Sequence, residues 1–126
     1  MAYEYFNNNP SNKLVGDCVV RALALALDEP WDKIYIALAI QGFLFKDMPT
    51  SNRVWGSYLM ENGFDRYVIP DTCPIDCYTI ERFAEDNPKG LFVVGTDTHV
   101  VTIIDGTVFD TWFSLDCTPT FVYVKK

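Results

Sequence analysis

The run Val19-Val20-Arg21-Ala22-Leu23-Ala24-Leu25-Ala26-Leu27 carries one charge and otherwise only apolar side chains. Ala, Leu and Arg are good helix formers, and Asp28-Glu29-Pro30 closes the run. A helix that is apolar nearly all round is stable only when buried, so this segment reads as the central helix of a small domain. It is too short to span a bilayer, and no other stretch comes closer.

The segments on either side define the fold class. Residues 1–11 combine an aromatic patch (Tyr3, Tyr5, Phe6) with Asn7-Asn8-Asn9-Pro10-Ser11, which is loop chemistry. The central helix is expected from about Asp17, which can cap it, to Leu27. A second helix starts near Pro30 and runs to Ile40, with Trp31, Ile34, Tyr35 and Leu38 on a stripe and Gly42 as its stop. Residues 43–51 read as loop. Thr50 or Ser51 caps a third helix to about Glu61, ended by Asn62-Gly63. A short strand covers Tyr67–Ile69, and residues 76–86 read as a fourth helix before Asn87-Pro88-Lys89-Gly90.

The C-terminal third changes character. Leu91–Val94, His99–Ile104, Thr107–Trp112 and Thr120–Val124 are β-branched and aromatic runs between turn residues, and Asp105-Gly106 is a strong hairpin signal. Helices followed by an antiparallel sheet make an α+β protein, and the absence of linkers or repeats makes residues 1–126 one domain.

Composition narrows the function classes. A hydrophobic fraction of 49% describes a globular chain rather than a disordered one. The net charge of −7, with no Lys/Arg cluster, argues against nucleic acid as a partner. No basic segment followed by an apolar run opens the sequence, so a soluble, cytoplasmic protein without a membrane partner is expected. In that compartment the four cysteines, Cys18, Cys73, Cys77 and Cys117, are expected as thiols.

One constellation carries chemistry. Cys18 opens the central helix, where unpaired N–H groups and the helix dipole favour a thiolate. His99 is the one imidazole in the chain. With Asp105-Gly106 as the turn, Ile104 pairs with Thr107, Val101 faces Asp110 and His99 faces Trp112. His99 and Asp110 then become diagonal neighbours on one face, with Cα atoms roughly 7–8 Å apart. A thiol needs a base, and the base needs a group to orient it. Cys18 supplies the sulfur, His99 the base and Asp110 the orienter, while Trp112 shields the pair. The backbone N–H of Cys18 and the side-chain amide of Asn12 are candidate donors to a tetrahedral oxyanion. Asp17 is a cap first and a substrate-binding candidate second.

A loop amide six residues before a helix-opening cysteine, followed by a histidine and an acid on neighbouring strands, resembles the papain-like cysteine peptidase superfamily, in particular its small phage and bacterial members. That resemblance implies a Cys-led helix packed on a small antiparallel sheet, with a cleft between them. It implies hydrolysis of amide, peptide, isopeptide or thioester bonds in a peptide or protein substrate, through an acyl-enzyme and without a cofactor. It assigns Cys18 as nucleophile, His99 as general base and acid, Asp110 as orienter and Asn12 as oxyanion donor. A phage-encoded member would work inside its host cell. Two alternatives stay open: a catalytically inactive papain-fold module that binds peptide or protein, and a thiol acyltransferase. A zinc site built from Cys73, Cys77, Cys117 and His99 has suitable residue types but no paired motif in its second half, and no metal is expected.

Overall fold

A computed structural model describes residues 3–126. The apolar run forms α1, Cys18–Leu27, in which every residue from Val19 to Ala24 is buried. Asp28, in the left-handed conformation, ends it by donating its backbone N–H to Leu25 O at 3.2 Å. Two helices follow, α2 at Trp31–Phe45 and α3 at Asn52–Glu61, and a shorter α4 covers Ile80–Asp86.

The sheet has six strands: β1 (Tyr3–Tyr5), β2 (Phe64–Val68), β3 (Leu91–Gly95), β4 (Val100–Ile104), β5 (Thr107–Asp110) and β6 (Phe121–Lys125). Their order is β1-β5-β4-β3-β6-β2. The molecule is therefore α+β, as its patterning requires, but the sheet is neither wholly C-terminal nor wholly antiparallel. β1 lies parallel to β5, pairing Tyr3 with Val108 and Tyr5 with Asp110, where the sequence reads as loop. Three residues with two exposed side chains have no legible period, and the neighbouring strand alone defines this edge.

The hairpin register is the expected one: Ile104 pairs with Thr107, Ile103 with Val108 and Thr102 with Phe109. Asp105 and Gly106 both take positive φ, 48° and 79°, which a two-residue turn between twisted strands demands. Val101, Ile103 and Val108 enter one core with Ile80, Phe83, Ala84 and Leu115. On the other side of the sheet, Val93, Val100, Phe121 and Tyr123 pack with residues of α1, α2 and α3. Thr102 Oγ1 donates to Ala22 O at 2.7 Å and pins α1 to β4.

Two helix boundaries differ from expectation. α2 runs through Gly42 to Phe45 rather than stopping at Ile40. Gly42 is buried where the chain doubles back, and a Cβ there would lie 2.8 Å from the Asp47 carbonyl oxygen. Its glycine serves that close approach, and Lys46, with φ 57°, supplies the left-handed stop instead. α4 begins at Ile80 rather than 76, capped by the Thr79 hydroxyl, which accepts from Arg82 N at 3.2 Å. The preceding segment is taken up by a Cys73–Cys77 disulfide with a Cα–Cα distance of 4.4 Å. That corrects the expectation of four thiols: two cysteines in one tight turn are close enough to bond, and Cys18 and Cys117 stay free. The sulfurs of Cys73 and Cys77 are bonded to each other. No helix among the described residues is long and apolar enough to cross a membrane.

Candidate active site

Cys18 is the first residue of α1 and half-buried, so its backbone N–H belongs to the helix turn that has no internal acceptor. It lines one cleft together with His99 and Val100. His99 sits one residue ahead of β4, in the turn that joins β3 to β4. Thr96 builds this turn: its N–H donates to His99 O at 2.8 Å, and its hydroxyl accepts from His99 N at 3.0 Å. The imidazole is thereby delivered to the strand end instead of lying within the ladder.

Asp110 ends β5 and is 1% exposed. Its Oδ2 meets His99 Nε2 at 2.5 Å and accepts from Ser114 Oγ at 2.7 Å. Its Oδ1 accepts from Thr111 N at 2.8 Å and from Arg21 Nη1 at 3.2 Å. With Nε2 committed to Asp110, Nδ1 is the ring nitrogen left for the Cys18 sulfur. Trp112 packs at a tilt against His99, ring centroids 4.7 Å apart.

The electrostatics favour an ion pair. Burial raises the Cys18 thiol, but the hydrogen bond to His99, the Val100 N–H and the charges of His99 and Arg21 outweigh it, and its pKa falls below the ordinary thiol value. Burial pulls His99 down, yet the bonds to Asp110 and Cys18 lift it to about 9. Burial likewise opposes the Asp110 carboxylate, and its bonds from His99 and Ser114 hold it below the ordinary carboxylate range. These shifts all act in one direction, favouring the charged forms, thiolate beside imidazolium beside carboxylate, over their neutral counterparts.

The pair opens on a cleft of about 270 Å³, lined by Cys18, Val19, His99, Val100, the turn residues Thr96 to Thr98, Gly16, and Thr50 with Asn52 at the start of α3. Asn52 Oδ1 accepts the indole N–H of Trp55 at 3.1 Å, which leaves the amide N–H₂ as the donor end of that side chain.

Two sequence candidates lie elsewhere. Asn12 is exposed, takes φ 55° and donates its backbone N–H to Asn9 O at 2.8 Å, and it is not among the described residues lining the cleft. It shapes a turn, for which asparagine's tolerance of the left-handed region suits it. Asp17 is buried and also absent from the lining. It holds the N-cap position without a side-chain cap bond. Its carboxylate instead accepts from Arg21 Nε at 2.8 Å, Trp31 Nε1 at 3.0 Å and Asn9 Nδ2 at 3.3 Å.

Sequence reasoning passed over Arg21. It stands one helical turn beyond Cys18, 8% exposed, and joins Asp17 to Asp110. The lone charge in a buried helix was the available signal, because a buried guanidinium needs carboxylates to meet it. No family model matches the chain, and neither does any curated protein or any solved structure.

Proposed function

We propose that this chain is a thiol hydrolase with a papain-like arrangement, cleaving amide or peptide bonds through an acyl-enzyme on Cys18. The observation that carries the reading is that Cys18 and His99 line one cleft, with His99 hydrogen-bonded from behind to the buried Asp110. The Cys18 thiolate attacks the carbonyl carbon, and the carbonyl π electrons move to oxygen. Donation from the Cys18 backbone N–H and the Asn52 amide, two residues that line the cleft, would stabilise that oxyanion. His99 Nδ1–H then protonates the leaving amine as the C–N bond breaks, leaving a thioester. Water attacks the thioester, His99 takes its proton, and the C–S bond breaks to release the acid and regenerate the thiolate–imidazolium pair. Isopeptide and thioester substrates follow the same sequence with a different leaving group.

A second cavity of about 520 Å³, between the Val68–Asp71 segment and Thr118–Thr120, shares Asp97 with the catalytic cleft. A substrate chain that crosses the sulfur has a path past Asp97 into this cavity, which favours an extended peptide over a small amide.

The test is alkylation of Cys18 by iodoacetamide at pH 6, read by peptide mass mapping. Cys117, whose thiol burial raises above its ordinary pKa, is the built-in reference. Free cysteine is well under 1% thiolate at this pH, so Cys18 should label at least about tenfold faster than cysteine, even after allowing for the lower nucleophilicity of a low-pKa thiolate. His99→Ala should abolish the advantage. A Cys18 that labels no faster than free cysteine sinks the reading.

A further inference from the structure

We propose that Asp17 and Arg21 act as positioning residues that lock Asp110 in place and set the net charge facing His99; this rests on the thiol-hydrolase reading. Arg21 lies on the same helix as Cys18, so one rigid element fixes both the sulfur and the brace of the acid. Its fork is split between two carboxylates, Nε on Asp17 Oδ1 at 2.8 Å and Nη1 on Asp110 Oδ1 at 3.2 Å. All three side chains are buried, at 6%, 8% and 1% exposure for Asp17, Arg21 and Asp110. Arg21 alone would cancel the charge of Asp110 and weaken its hold on the imidazolium. Asp17 restores the balance, so the triplet presents one net negative charge to His99.

The other polar groups around the site are Cys18 from α1, Tyr3 of β1, whose hydroxyl donates to Asp110 O at 3.2 Å, and Ser114 and Cys117 from the segment after β5. Asp97 and the two threonines of the β3–β4 turn complete the cleft side. None of these is a second cation, so among the described residues Arg21 is the one positive side chain facing the relay.

The test follows the Cys18 alkylation rate against pH and, separately, the Cε1–H resonance of the single histidine. Asp17→Asn removes a negative charge, and both the thiolate limb and the imidazole titration should move to lower pH by about half to one unit. Arg21→Gln leaves two uncompensated carboxylates, and both should move the opposite way. Arg21→Lys keeps the charge but loses the fork, so the limbs should hold while the maximal rate falls several-fold. A purely structural role would lower the folded fraction without shifting the limbs in opposite directions. If Arg21→Gln fails to fold, Asp17→Asn and Arg21→Lys still decide the matter. Unmoved limbs in a natively folded Asp17→Asn protein overturn this inference while leaving a fast-labelling Cys18 intact. A wild-type Cys18 that labels like free cysteine overturns the hydrolase reading itself.

Discussion

The Cys18–His99 pair is decided by a few bonds at single residues. Asp110 accepts four hydrogen bonds through its two carboxylate oxygens, so it is fixed before any substrate arrives and holds His99 by Nε2. Preorganisation of this kind is what lets a carboxylate orient an imidazole and stabilise its charge. The same scale separates the two asparagines. Asn52 lines the cleft and Asn12 does not. Asn52→Ala should therefore lower turnover about 100-fold, the size expected for one oxyanion donor, with the alkylation rate of Cys18 unchanged. Asn12→Ala should leave both unchanged. Steady-state kinetics on any peptide substrate, set beside the labelling rate, checks the contrast. That His99 meets Asp110 and Trp112 was legible because the hairpin register puts them on one face. Asn12 misled because chain proximity to Cys18 does not put a loop side chain in the cleft.

Among the elements, the β3–β4 turn matters most to the site. His99 is outside β4, and the Thr96 hydroxyl holds its backbone N–H at 3.0 Å and that of Thr98 at 3.3 Å. Thr96→Val keeps the shape and deletes the acceptor. The expected cost is about 1 kcal/mol of stability in urea, with a slower Cys18 alkylation as the imidazole loses its fixed height over the sulfur. An unchanged labelling rate would show that Asp110 alone positions the ring. The hairpin register was readable from Asp105-Gly106, because turn chemistry and side-chain alternation fix it locally. The end of α2 was not, because Gly42 answers to the returning backbone at Asp47 and not to its own helix.

For the whole molecule, the ion pair makes a signed prediction about stability against pH. His99, raised from 6.5 to about 9, contributes stability that is complete below pH 6.5 and lost as pH rises through about 9. Cys18, lowered from 9.0, contributes stability present above that value and lost as pH falls through its folded pKa. The two slopes have opposite signs, so they offset each other in the wild type wherever Cys18 has lost its proton while His99 keeps its own. Cys18→Ser removes the compensating group but keeps Asp110 on His99. Its urea midpoint should therefore fall steadily as pH rises above 6.5, and a flat profile for this variant would contradict the pairing.

The sequence by itself determined the element types, the buried α1 and the hairpin register, since each follows from local propensity, burial period or turn geometry within a short stretch of chain. The parallel edge strand β1, the Arg21 bridge between Asp17 and Asp110, and the presence of Asn52 rather than Asn12 in the cleft lining were decided by tertiary structure alone. Each depends on which distant backbone lies alongside, and the free energy of a buried charge or an unpaired strand edge is set by those neighbours rather than by the residue's own place in the sequence.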